Sequence, residues 1–335
     1  MSAIIAAEGL RKTFRVRRSA GRFRRATIDV HAVDGVSFQV EPGEMVGYIG
    51  PNGAGKSTTI KMLTGILVPS AGQARVCGLA PHRQRKQLAR RIGVVFGNRS
   101  LLWWDLPLRE SFELLRAIYR VPAARHAAML RRMVELLAMA PFLDNPVRQL
   151  SLGQRMRGEL TAALLHDPDV LFLDEPTVGL DVVSKARVRE FLQELNRERG
   201  TTVLLTTHDM ADLERLCPRM LVIDHGRVLY DDATRALAER FGAERTMVVD
   251  LASSRPPLRL ERGRVVRTEG ARQWVRFRRD EATAAELVAA ITNEEQLVDL
   301  AIEEPDIEEV VRRIYTEGLA GAGHADPVGE ARVTP

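Results

Sequence analysis

The stretch Gly50-Pro51-Asn52-Gly53-Ala54-Gly55-Lys56-Ser57-Thr58 constrains this chain more than any other. It reads G-x-x-x-x-G-K-[ST], a loop whose backbone amides converge on a polyphosphate. Dense negative charge needs many donors at close range. Gly50, Gly53 and Gly55 let the chain turn tightly with its N–H groups pointing inward. Lys56 supplies a mobile cation for β- and γ-phosphates, and the Ser57 hydroxyl can ligate Mg²⁺. Met45 to Ile49 is a short apolar run that reads as a buried strand. Ser57 to Leu63 reads as a helix whose positive end faces the phosphates. A chance glycine-rich turn would lack this strand–loop–helix setting.

At 335 residues, 45% hydrophobic and 28% charged, the chain has room for one large α/β domain and a smaller one, with an ordinary globular composition. No run approaches the roughly 20 apolar residues that cross a bilayer, and the N-terminus lacks the apolar core of a signal peptide. Cys77 and Cys217 fit no metal or redox spacing, which points to a reducing cytoplasm. The net charge of +5 is unevenly placed: Arg11, Lys12, Arg15, Arg17, Arg18, Arg22, Arg24 and Arg25 have no acidic residue among them. Such a run reads as a solvated loop. The sharper alternative is a contact with anionic lipid headgroups, worth about 1 kcal/mol per cation, or with a partner's acidic loop.

Ile4 to Val16 and Ala32 to Val40 read as strands joined by that basic insert, with Asp34-Gly35 and Glu41-Pro42-Gly43-Glu44 as turns. Phe14 closes the first strand, where its ring either stacks on an adenine face or packs within the sheet. A small antiparallel layer beside a parallel core is expected. After the first helix come a basic helical segment, Arg83 to Arg91, and a buried strand, Ile92 to Phe96, ending at Gly97-Asn98. Leu108 to Leu137 is helical, with Pro122 and Pro141 as breaks. Leu114, Leu115, Ile118 and Tyr119 sit at helical spacing, most simply as core. Trp103, Trp104, Asp105, Leu106 and Pro107 stand at the entrance of this inserted lobe. Two adjacent tryptophans cannot both face one core, so one belongs either to a docking surface or to a lobe-packing anchor.

Ser151 and Gln154 have capping-box spacing ahead of a helix that runs to about Leu165, and a capped helix start also attracts anions. Val170 to Leu173 is an apolar strand delivering Asp174 and Glu175 at its carboxyl end, where α/β proteins place ligands. Asp174 can hold Mg²⁺, and Glu175 can orient or deprotonate an attacking water. Two such carboxylates could instead cap the next helix, but the phosphate loop upstream weakens that reading. Gly179-Leu180-Asp181 makes another turn and Val183 to Arg199 is helical. Val203 to Thr206 is a strand delivering His208 to the same edge, where a γ-phosphate contact is preferred to a structural role. Met220 to Asp224 and Arg227 to Tyr230 form a hairpin around His225-Gly226. The helix Thr234 to Phe241 closes the first domain.

Beyond Gly242, Met247 to Leu251, Leu258 to Val266, Gln273 to Phe277 and Val298 to Ile302 are strand-like, and Glu281 to Ile291 is helical. A last helix carries Ile307, Val310, Val311 and Ile314 on one face, with Asp306 and Glu309 at capping-box spacing. The expected domains are therefore 1–241, with a helical lobe over about 98–165, and a small α+β domain over 242–317. A Gly-, Ala- and Pro-rich tail, 318–335, has little to bury and is expected to be disordered. No internal repeat is evident.

Together these motifs resemble the ATP-binding subunits of ATP-binding-cassette (ABC) transporters, over about residues 4 to 241. In family terms Gly50 to Ser57 matches Walker A, Leu150 to Gln154 the signature loop, Val170 to Glu175 Walker B, Gly179 to Asp181 the D-loop and His208 the switch histidine. Phe14 falls where the adenine-stacking aromatic lies. Leu152 replaces the first signature glycine, and Asn98 stands where the family has a longer glutamine near Mg²⁺ and water. The resemblance implies an α/β P-loop fold with an antiparallel β subdomain and a helical subdomain. It also implies hydrolysis of ATP with Mg²⁺ and a head-to-tail homodimer with two ATPs between protomers. Each ATP would meet Lys56, Ser57, Asp174, Glu175 and His208 of one chain and Ser151 and Gly153 of the other, with Gln154 and Asp181 as further nucleotide-binding residues. A separate multi-span permease and a peripheral place on the cytoplasmic face of the cell membrane follow, with no nucleic acid. The single cassette, the Trp-Trp-Asp-Leu-Pro stretch and the C-terminal domain look like drug- or antibiotic-resistance export ATPases. The alternative, a non-transport ATPase acting on DNA or ribosomes, lacks the long coiled coils or paired cassettes of such relatives.

Overall fold

The structure, a computed structural model, describes residues 3–19, 25–97, 99–207, 209–241, 244–278 and 281–303, and positions 308, 310–312, 314 and 315. Contacts divide the chain into two units, 1–232 and 233–335. The helix Thr234–Phe241, expected to end the first domain, falls in the second unit.

The first unit opens with two long strands, β1 (Ile5–Ser19) and β2 (Arg25–Val40), paired antiparallel out to Ser19 opposite Arg25. The insert was expected as a loop between strands ending at Val16 and starting at Ala32, yet β1 carries Arg17 and Arg18 as well as Arg11, Lys12 and Arg15, and β2 begins at Arg25. The opposite strand supplies the missing carboxylates: Arg11 meets Asp34 at 3.3 Å and Arg15 meets Asp29 at 3.5 Å. Arg22 and Arg24 fall outside the described residues. Asp34-Gly35, expected as a turn, sits inside β2. The ladder shifts register on either side of Leu10, and Gly9 and Gly35 adopt φ of 55° and 87°. A bulge uses the same positive φ as a turn, which is why the dipeptide misleads.

Next come β3 (Met45–Ile49), α1 (Lys56–Leu63) and β4 (Ala71–Val76), an edge strand that the sequence did not disclose. β4 completes a three-stranded sheet of order β2-β1-β4. The basic helical segment shrinks to one turn, α2 (Arg85–Leu88), before β5 (Ile92–Phe96). The helical lobe follows as α3 (Leu108–Tyr119), α4 (Ala123–Leu136) and α5 (Leu152–Leu164). Leu108, Phe112 and Leu115 form the buried stripe of α3, whereas Leu114 and Ile118, expected in the core, are 40% and 62% exposed. Both sets recur at helical spacing, so periodicity alone could not choose between them. Trp103 and Trp104 are both partly exposed, with the Arg155 guanidinium 5.9 Å from the Trp104 ring.

Four further elements alternate as β6 (Val170–Asp174), α6 (Val182–Arg199), β7 (Thr202–Thr206) and α7 (Met210–Leu216). A hairpin of β8 (Arg219–Asp224) and β9 (Arg227–Ala233) ends the unit. The main sheet has order β5-β6-β7-β3-β8-β9, parallel from β5 through β8. Its central strands are buried along their length, the reason they read as continuous apolar runs rather than alternating ones. Tyr48, Phe172, Leu204 and Leu221 of this sheet share one core with Ile5, Leu10 and Phe38 of the antiparallel layer and Ile60 and Leu63 of α1. Parallel strands align their carboxyl ends on one edge, where the loop after β3, the end of β6 and the end of β7 meet.

The second unit contains α8 (Thr234–Phe241), β10 (Glu244–Leu251), β11 (Arg264–Glu269), β12 (Arg272–Arg278), α9 (Ala284–Glu294) and β13 (Leu297–Glu303). Its antiparallel sheet runs β11-β12-β10-β13, and Met247, Val249, Val275 and Phe277 meet Leu287 and Ile291 of α9. The strand expected from Leu258 begins only at Arg264. The Leu258 amide is instead held at 2.9 Å by the side chain of Gln273, which is itself buried. Of the expected last helix, Val310, Val311 and Ile314 are buried. Asp306, Ile307, Glu309 and the tail 318–335 lie outside the described residues. Among the described residues no helix is long and apolar enough to cross a membrane.

Candidate functional site

The glycine-rich loop leaves β3 at the sheet's carboxyl edge and enters α1 through Gly55, whose φ of 103° excludes ordinary side chains. A Cβ there would stand 2.4 Å from the Ala32 carbonyl of β2, and one on Gly50 would stand 2.5 Å from that of Ile223. The loop is thus clasped between the two sheets. Gly226, in the β8–β9 turn, donates to the Ala54 carbonyl at 3.0 Å and closes the clasp. α1 has no side-chain cap and no acid in its first turn, so its terminal N–H groups are unclaimed by side chains. Such a terminus attracts anions. The Lys56 ammonium folds back onto the Gly50 and Pro51 carbonyls, the latter at 3.1 Å. Burial lowers its pKa, opposed by the charges of Glu175 and Asp174, so those carboxylates face the same space.

One strand separates β3 from β6, and β7 fills that place. Ser57 Oγ donates to Asp174 Oδ2 at 3.0 Å, and Thr206 Oγ1, at the end of β7, donates to Asp174 Oδ1 at 2.7 Å. Thr206 was not anticipated. A polar residue ending an apolar strand beside the carboxylate strand was the available signal. Glu175 has φ of 56°, and its amide donates to the Thr206 carbonyl at 3.0 Å and to its hydroxyl at 3.1 Å. A left-handed backbone costs about 1–2 kcal/mol in a residue with a Cβ, and such strain concentrates at functional sites. Ser57 and Asp174 offer oxygens suited to Mg²⁺, a hard cation that uses one or two protein ligands beside phosphate oxygens and water. Among the described residues no cluster of three or more His, Cys, Asp or Glu could hold a metal unaided. Asn98 and His208 lie outside the described residues. Their neighbours do not: α7 starts at an Asp209 cap, and Asp209 pairs with Lys185 of α6 at 2.7 Å.

Phe14 lies on β1 opposite Val30, half-buried, with the Lys12 ammonium 5.3 Å from its ring. Two residues beyond Val30, β2 touches the glycine loop through Ala32, so the aromatic and the loop share one ribbon.

Ser151, Gly153, Gln154 and Asp181 form a second group. Ser151 caps α5 by accepting from the Gln154 amide at 3.2 Å, while Gln154 Oε1 accepts from the Ser151 amide at 2.9 Å. Such a cap contributes about 1 kcal/mol. Asp181 caps α6 through the Ser184 amide at 2.9 Å and hydroxyl at 2.7 Å, and these bonds hold its carboxyl below the usual range. The two caps abut. A Cβ on Gly153 would stand 2.5 Å from Ser184 Oγ, and one on Gly179 would stand 2.7 Å from Leu152 Cδ2. The unexpected Leu152 is therefore seated over the bare backbone of Gly179. Among the described residues no hydrogen bond or ion pair joins this group to the phosphate loop of the same chain.

Comparison with known proteins agrees with this geometry. The family model described as ABC transporter matches residues 33–178, and an AAA-domain model matches residues 145–212. The Nod factor export ATP-binding protein I of Paraburkholderia xenovorans is 45% identical over 208 residues, covering 61% of this chain and 67% of that protein. The ABC transporter ATP-binding protein NatA of Bacillus subtilis is 35% identical over 218 residues, covering 65% and 88%. Among solved structures, cbiO1 of Clostridium perfringens, part of the ABC transporter complex cbiONQ, superposes with a TM-score of 0.60 at 26% identity, covering 71% of this chain and 91% of that one. A dimeric bacterial ABC transporter cassette superposes with a TM-score of 0.58 at 27% identity, covering 68% and 98%. This chain belongs to the ATP-binding subunits of ABC transporters, the P-loop ATPases of that family.

Proposed function

We propose that this ATPase powers an exporter by closing as a homodimer around two ATPs and passing that closure to a separate membrane permease. The single observation that carries the reading is the bonded set Ser57–Asp174–Thr206 beside the phosphate loop, with Glu175 in strained backbone next to it. In this reading Gly50, Pro51, Asn52, Gly53, Ala54, Gly55, Lys56, Ser57 and Thr58 hold the phosphates. Lys56 exchanges its loop carbonyls for phosphate oxygens, and Phe14 stacks on adenine. Ser57 and Asp174 would hold Mg²⁺, with Asn98 as the further ligand that the family resemblance implies. A bound Mg²⁺ would neutralise charge on the β- and γ-phosphates. Glu175 takes a proton from the attacking water and His208 contacts the γ-phosphate.

Ser151, Gly153, Gln154 and Asp181 meet the ATP held by the partner copy. Exposed Leu152, Val178, Val182 and Val183 around those caps support a surface that a second chain covers. Binding both copies through the γ-phosphate makes closure depend on ATP and opening on hydrolysis. Export is supported by the Nod factor export relatives, and the description of cbiO1 as part of the ABC transporter complex cbiONQ supports a partner in a larger assembly, here read as a permease. Such an assembly would hold the chain on the cytoplasmic face of the membrane.

Glu175→Gln is expected to keep ATP binding and lower turnover at least about 100-fold, as loss of a general base does. Lys56→Ala is expected to lose ATP affinity by about tenfold or more, the scale of one charge-assisted phosphate contact. Nucleotide binding followed with a fluorescent ATP analogue, beside phosphate release, checks both. Near-normal hydrolysis by the Glu175→Gln protein would remove Glu175 from its role.

A further inference from the structure

The segment after β5 links the carboxylate edge to the exposed tryptophans. It begins where Phe96 pairs with Asp174 and ends at Trp103 and Trp104. Its middle is held by a buried acid that the site itself does not use. Glu159, on α5, is 5% exposed. Ser100 Oγ donates to its Oε1, and the Leu101 amide donates to its Oε2 at 2.8 Å. Beside it, Leu102 is buried against α5, where a Cβ on Gly158 would stand 3.0 Å from Leu102 Cδ1. Trp103 is then anchored through its amide to Ser111 Oγ of α3 at 3.2 Å. α5 is also the helix that Ser151 caps. One carboxylate therefore joins the helix that begins at the Ser151 group to the strand exit beside Asp174. Burial raises the Glu159 pKa, and the two donors, with the charge of Arg155, oppose that cost.

We propose that Glu159 is a positioning residue that makes α5 and residues 99–104 move as one body, so that events at the nucleotide edge reach the exposed indole pair. This rests on the ATPase reading above. An apolar residue would fill the space but leave the Leu101 amide buried and unpaired. Glutamine can accept at only one oxygen and turns an NH₂ toward the other donor. Alanine thus loses both bonds, and glutamine keeps one.

The test uses the full chain with Trp274→Phe, so that Trp103 and Trp104 alone report, and a Glu175→Gln version for the ATP-bound state. Mg-ATP is expected to shift the indole emission of the parent, and Glu159→Ala is expected to abolish that shift. In the hydrolysing version, Glu159→Ala should lower kcat about tenfold with KM within about twofold, and Glu159→Gln should recover to within about threefold of the parent. Ser100→Ala removes the same bond from the segment's side without emptying the core, and is expected to follow Glu159→Gln. If Glu159→Ala keeps the parent's indole response and kcat, or, should that variant fail to fold, if Ser100→Ala loses neither, the role is overturned. A parent that fails to bind the fluorescent ATP analogue would overturn the ATPase reading as well, which separates the two failures.

Discussion

Asp174 is held on both sides, by Ser57 from the phosphate loop and by Thr206 from the neighbouring strand, while the Glu175 amide is tied to Thr206 as well. Thr206 therefore sets the position of both carboxylates without being acidic itself. Replacing it by valine keeps the β-branched shape in a buried strand and deletes the hydroxyl. Thr206→Val is expected to lower kcat about tenfold, roughly 1.4 kcal/mol of transition-state stabilisation, with little change in ATP affinity. Steady-state phosphate release against nucleotide titration checks the split, and an unchanged kcat would count against this role. At this scale the loop and its partners were legible because phosphate chemistry leaves few choices of residue at fixed spacing. Thr206 and Glu159 were not, because hydrogen bonds across neighbouring strands and helices have no sequence period.

Paired helices rather than single side chains fix the flank of the site. α6 and α7 are joined by Lys185 to Asp209 and by Arg189 to the buried Asp212, each at 2.7 Å. The first pair stands next to the His208 position. The Lys185 bond lowers the Asp209 pKa. A carboxyl depressed on folding adds stability above its unfolded value of about 3.9, and loses it as pH falls through the lower folded value. Asp209→Asn keeps a capping oxygen and deletes the charge. It is expected to melt below the parent near pH 7, with the gap closing as pH drops below about 4. Thermal melts of both proteins across that range check it, and a gap that persists in acid would show that charge is not the cause. Elements with one buried face or two were readable in advance, as β3, β6 and β7 were. The short edge strand β4 was not, and α2 was expected longer, as Arg83 to Arg91, since few side chains of either are buried. Leu114 and Ile118 show the converse: apolar residues at helical spacing need not face the core.

Across the first unit, two groups of site residues are each held together by bonds and contacts of their own. Phosphate-loop residues join Asp174, Thr206 and Glu175, while Ser151, Gly153, Leu152 and Gly179 interlock with Asp181 and Ser184. Among the described residues no hydrogen bond or ion pair joins the phosphate loop to the Ser151 group within one chain. In the proposed dimer a second copy placed head to tail would supply the other half of each site, and ATP the charge between them. Chain motifs made the two groups legible, but how copies would share them is a property of assembly that no single stretch encodes. Light scattering on the Glu175→Gln protein tests this most directly, with and without Mg-ATP and beside a Glu175→Gln/Ser151→Arg double variant. The account predicts a dimer that forms only with Mg-ATP and a double variant that binds nucleotide yet stays monomeric. A Glu175→Gln protein that remains monomeric in saturating Mg-ATP, or a dimer indifferent to Ser151→Arg, would contradict it.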